Sequence, residues 1–174
     1  VGFHCLDLGL ARRLAGDLPV SLGSMVLGTH RVEALRSATG ATRIRPSYVP
    51  YALLARTGVL QDELELPVFG HIPVSVGVFC ATRRWDDCDR CELPRRVHRG
   101  GTDMLLSGNT LYSGRLYSAH LIRDRLLASP VSALVLDALA QDAATIEAAL
   151  AFWRGGADWE EPATPLCNAM LAVN

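Results

Sequence analysis

The apolar period changes along this chain, and the change bounds its architecture. Over residues 64–81 apolar and polar positions alternate. Leu64, Leu66 and Val68 stand against Glu63 and Glu65, and Val74, Val76 and Val78 share one face. A period of two marks a half-buried strand. After Gly114 the spacing lengthens to three and four residues, as in Ile146, Leu150 and Trp153, which marks an amphipathic helix. No strand–helix–strand alternation is strong enough to imply a parallel sheet. These patterns predict an α+β fold with a mainly antiparallel sheet and a helical C-terminal third.

The 174 residues fit one globular domain spanning 1–174. A chain of this length buries roughly two-thirds of its unfolded surface without staples. Val1 in place of an initiator Met is the expectation for a chain that is processed, excised from a longer one or trimmed at its terminus. Helices are expected at 5–15, at 30–38 before Gly40, at 115–128, at 131–139, and after the capping residue Asp142. Strands are expected within 18–27, 42–45, 64–81 and 103–112. Gly70-His71-Ile72-Pro73 is expected to turn a hairpin, with His71 a turn residue, and Gly108-Asn109 to turn another. One or two helical turns are expected at 51–56. Residues 82–101 read as an irregular loop rich in Arg, Asp and Cys, and 158–174 as an irregular arm.

Composition excludes several classes. The formal net charge is -1, and all 17 basic Lys/Arg residues are Arg. That bias is what G+C-rich codons favour, so an Arg here carries little evidence of selection over Lys. Near-neutral charge argues against a nucleic-acid-binding domain. No apolar run approaches the ~20 residues of a membrane helix, and no signal-peptide pattern opens the chain. Five cysteines cannot all pair within one chain. An intracellular, reducing compartment is the expectation.

The densest chemistry is Cys80-x7-Cys88-x2-Cys91-x6-His98. Two cysteines two residues apart can occupy two corners of a zinc tetrahedron, and Cys80 with His98 can supply the others. The alternative is that Cys80 ends a buried strand while Cys88 and Cys91 lie free on a loop, or form a reversible redox pair. Metal analysis separates these readings. A zinc site predicts one zinc per chain and three thiols protected until denaturation, and Cys88→Ser then loses the metal. Unchanged metal content in that variant excludes the site. The same loop carries Arg83, Arg84, Arg90, Arg95, Arg96 and Arg99 with Trp85, but Asp86, Asp87, Asp89 and Glu92 largely cancel the charge. Nucleic acid is therefore not the expected partner.

Tyr117, His120 and Asp124 fall on one face if 115–128 is helical, and that grouping suits general acid–base work. It equally suits an ordinary polar helix face. His4, Cys5 and Asp7 lack any spacing that places a nucleophile beside its base, and Cys5 suits an apolar face. No phosphate loop, dinucleotide fingerprint, nucleophile elbow or HExxH occurs, and the zinc-deaminase signature fails at two places. The expected function is a non-enzymatic protein-interaction or assembly domain, with zinc as a structural ion. Its partner would be another protein or a second copy, through 82–101 or the C-terminal helices. The alternative is a small metal- or acid–base-dependent enzyme whose site is assembled from distant residues.

Overall fold

A computed structural model describes residues 2–24, 30–46, 64–77, 94–155, 158 and 164–165. The fold is mixed α/β. No helix of the described residues is long and apolar enough to cross a membrane. The expected turns at 51–56 lie outside the described residues, as does most of the 158–174 arm. The chain divides into two compact units. The first comprises Val1–Val68, Leu121–Val135 and Leu166–Asn174; the second comprises Phe69–His120 and Leu136–Pro165.

The first unit is built on a parallel sheet, where the sequence pointed to antiparallel pairing. Strands β1 (Phe3–Cys5), β2 (Val20–Ser24) and β3 (Arg43–Pro46) lie side by side in chain order, all parallel. Helices α1 (Leu8–Leu14) and α2 (His30–Thr39) make the crossovers. These strands run only three to five residues, too short for alternation to be read from sequence. Asp7 explains why the first helix starts late. Its Oδ1 accepts from the Leu10 amide at 2.7 Å, an N-cap that leaves Phe3–Cys5 extended. α1 packs on β2 and α2 on β3. Cys5, Leu22 and Ile44 form one buried row across the three strands, and Leu64 joins it by a parallel bridge to Ile44. The core of this unit is thus aliphatic and one sheet face deep.

Strand β4 (Glu65–Gly70) and strand β5 (Pro73–Val76) both form, but they are not a hairpin. β5 pairs with β8 (Thr110–Ser113), in the antiparallel order β5-β8-β7-β6. There β6 is Arg95–Arg99 and β7 is Thr102–Ser107. Part of the expected irregular loop is therefore a regular strand, paired with β7 from Arg95↔Leu106 to Arg99↔Thr102. The Gly108-Asn109 turn between β7 and β8 stands where expected, with Gly108 at φ 58°.

β4 is unavailable to β5 because both its edges are taken. Its end pairs with β9 (Tyr117–Ser118) through Phe69↔Ser118 and Gly70↔Tyr117. The Asp137 amide donates to the Phe69 carbonyl at 2.8 Å. The sheet runs β10-β4-β9-β11, with β10 at Ala133–Leu136 and β11 at Thr164–Pro165. Two expected helices thus change. Residues 131–139 contain β10, entered where Ser132 donates its amide and hydroxyl to the Leu64 carbonyl at 2.9 and 2.8 Å. Residues 115–128 become β9, a 3-10 turn at His120–Ile122 and the short helix α3 (Arg123–Leu127). Helix α4 (Ala143–Trp153) is as expected, with Asp142 Oδ1 accepting from the Thr145 amide at 2.7 Å. In the second unit, Phe69 and Ala149 form a buried pair flanked by Leu116 and Leu136.

Candidate functional site

The second unit holds a cavity of about 450 Å3 around His71. Gly70 bends the chain out of β4 at φ 131°, and the next residue, His71, is 8% exposed. A buried imidazole needs partners at both nitrogens, and this one has them. Nδ1 donates to the carbonyls of Ser113 at 2.8 Å and Arg115 at 3.1 Å. Two carbonyls can only accept, so the proton sits on Nδ1. Gln141 Nε2 then donates to His71 Nε2 at 3.0 Å and to the Leu139 carbonyl at 3.1 Å. Ile72 ties the same segment down, its amide donating to Ser113 Oγ at 3.0 Å.

Two further backbone positions belong to the lining, Gly114 and Ala140. Gly114 lies so close to β7 that a Cβ there would collide with the Asp103 carbonyl, to which its amide donates at 2.9 Å. Ala140 is held at φ 57°, a left-handed conformation that costs a residue with a Cβ about 1–2 kcal/mol. Strain of this kind collects where a structure needs a fixed backbone shape. Leu105, Leu116 and Pro94 supply the apolar lining, and Arg96 and Arg115 supply the charge. The cavity's described lining includes two arginines and no acidic residue.

The residues singled out from sequence fall differently. Cys80, Cys88 and Cys91 lie outside the described residues, as do residues 82–93 of the expected interaction loop. His98 stands on β6 opposite Asp103, with Nδ1 2.8 Å from Asp103 Oδ1 and both side chains exposed. The hydrogen bond from His98 holds the Asp103 carboxyl below its ordinary value, slight burial opposes it, and the charges of His98 and Arg96 add to the lowering. No group of three metal-binding side chains occurs among the described residues. Tyr117 lies on β9, His120 on the 3-10 turn and Asp124 on α3. The helical spacing that grouped them therefore does not apply. Asp124 is 92% exposed, its Oδ1 3.4 Å from Arg123 Nη1. Cys5 is a buried core thiol, as its apolar setting implied.

The cavity residues His71, Arg96, Arg115 and Gln141 left no motif. They come from four separate stretches of chain, and only the Gly70 and Gly114 punctuation marks the backbone that unites them. No known protein family, curated protein or solved structure matches this chain.

Proposed function

We propose that this chain is a small-molecule-binding module whose cavity takes an oxyanion, a phosphate or carboxylate on a compact, partly apolar body. The observation that carries this reading is the presence of two arginines, and no carboxylate residue, in the described lining of a cavity of about 450 Å3. That volume falls in the range of ligand pockets, and guanidinium is the side chain best suited to bidentate oxyanion contacts. Leu105, Leu116 and Pro94 offer an apolar wall for the rest of the molecule. Both nitrogens of His71 are committed to protein partners. This supports a bracing role for the ring rather than proton transfer, and so favours the non-enzymatic class expected from the sequence.

Titration with inorganic phosphate at constant ionic strength, followed by the amide resonances of Gly114 and Arg115, tests the reading. Saturable shifts are expected at both. Arg96→Ala should weaken binding about tenfold, the loss of one charge-assisted contact. Shifts that never saturate, or that persist unchanged in both Arg96→Ala and Arg115→Ala, would overturn it.

A further inference from the structure

The polar face of the parallel sheet carries a second charged cluster, independent of the cavity and lying wholly within the first unit. Strand register sets it up. His4, Ser21 and Arg43 form one row across β1, β2 and β3, and Arg45 stands two residues on, opposite Gly23. Period-two alternation puts this row on the face opposite the buried Cys5–Leu22–Ile44 row. Glu65 completes the cluster, its side chain 8% exposed.

Every hydrogen bond in the cluster runs toward Glu65. Its Oε2 accepts from Ser21 Oγ at 2.7 Å and from Arg45 Nε and Nη2 at 3.1 and 3.0 Å. The Ser21 hydroxyl hydrogen is committed to its bond with that carboxylate, so the His4 Nδ1 contact at 3.2 Å is a donation from the ring to the hydroxyl oxygen. This is not a nucleophilic triad, because the serine proton faces a carboxylate already held by a cation. The histidine donates to the serine, the serine and Arg45 both donate to the glutamate, and the donations end on that carboxylate.

Among the described residues the arrangement leaves a surplus of positive charge. Arg43 Nη1 is 3.7 Å from Glu65 Oε1, so two guanidinium groups face one carboxylate. Arg45 spends its Nε–Nη2 edge on Glu65. A guanidinium has five N–H donors in a planar fork, and the Nη1–Nη2 edge points away from that contact. Such an edge matches two oxygens of one ligand group. Arg45 and Gly23 lie toward the carboxyl ends of β3 and β2, the end of a parallel sheet at which ligands bind. Gly23 makes room for the His4 ring that packs over it. A Cβ there would stand 2.8 Å from His4 Nε2 and 2.6 Å from Leu6 Cδ2.

We propose that Arg45 and Arg43 form an oxyanion-binding site on this sheet face, with Glu65 as the positioning residue that orients Arg45. The ligand class is a carboxylate or phosphate group. The reporter is His4. Partial burial and then the Arg45 charge hold its imidazole below the ordinary value, against the pull of Glu65. An anion seated on Arg45 cancels part of that charge.

The test is NMR titration of the His4 ring in the whole chain, with acetate and separately with inorganic phosphate, at constant ionic strength. We expect a saturable response and an upward move of the His4 titration midpoint. Arg43→Gln should weaken binding about tenfold, and Arg45→Gln should abolish it. Arg115→Ala, which damages only the cavity, should leave the His4 response intact, so failure of either site is distinguishable from failure of the other. A stronger response to acetate assigns a carboxylate ligand, and a stronger response to phosphate assigns a phosphate. A His4 midpoint unmoved by both anions overturns the proposal, as does an equal response in wild type and Arg45→Gln.

Discussion

Glu65→Leu is expected to destabilise the protein by about 3 kcal/mol at neutral pH, measured by denaturant unfolding. Removing one member of a buried ion pair leaves the other without compensation, which costs about 3–5 kcal/mol. The lower end applies because Arg45 keeps 30% of its side-chain exposure. Ser21 also loses the acceptor of its 2.7 Å hydrogen bond. Arg43→Gln, by contrast, should cost no more than about 1 kcal/mol, since Arg43 is half exposed and 3.7 Å away. Equal losses in the two variants would show that Glu65 is not the centre of the cluster.

The same variant has a pH signature. Burial pushes the Glu65 carboxyl up, but the hydrogen bonds from Ser21 and Arg45 and the Arg45 charge outweigh it, and the net shift is downward. The folded protein therefore holds this proton less tightly than the unfolded chain, whose glutamates titrate near ~4.3. The stabilisation is fully present above that value and is lost as pH falls through the lower folded value. The gap between wild type and Glu65→Leu should narrow steadily from pH 5 downward. A gap that is constant or widens with acid contradicts an ionised Glu65.

Gly70→Ala is expected to cost about 3 kcal/mol, from two separate penalties of about 1–3 kcal/mol each. Gly70 sits at φ 131°, where residues with a Cβ are strained. A Cβ there would also lie 2.6 Å from the Asp137 Cβ and 3.0 Å from its carbonyl oxygen. Asp137 cannot retreat easily, because its amide is bonded to the Phe69 carbonyl at 2.8 Å. Gly101→Ala separates the two effects. Gly101 has φ 78° with nothing within 4 Å of its would-be Cβ, so it should lose only about 1 kcal/mol. Equal losses at the two glycines would remove the close approach to Asp137 from the account. Since Gly70 sets the path of the chain into His71, which lines the cavity, its replacement should also weaken phosphate binding, whereas Gly101→Ala should not.

Legibility differs sharply between the two kinds of site. The sequence drew attention to Tyr117, His120 and Asp124 through a helical spacing, and a two-residue strand at Tyr117–Ser118 dissolves that spacing. It passed over His71 as a turn residue. Nothing local distinguishes a histidine on an exposed turn from one buried against carbonyls 42 and 44 residues away and an amide 70 residues away. In the sequence Glu65 is only the polar member of an alternating strand. Its partners Ser21 and Arg45 are 44 and 20 residues distant, and only strand order brings them together.

What the residues specify on their own is whatever completes itself within a few positions. Asp142 caps α4 because its acceptor and donor are three residues apart, and Gly108-Asn109 turns a hairpin because its strands are adjacent in the chain. Asp7 belongs to the same class, since its cap shows why the first helix begins at Leu8 rather than at Cys5. Tertiary structure decides the rest: the parallel order of β1, β2 and β3, the separation of β4 from β5 into different sheets, and the conversion of 133–136 into a strand. The reason is that a strand's backbone donors and acceptors are satisfied only by a neighbour. Its partner, and the face its side chains turn toward a site, are therefore set by which edges the remainder of the chain leaves open.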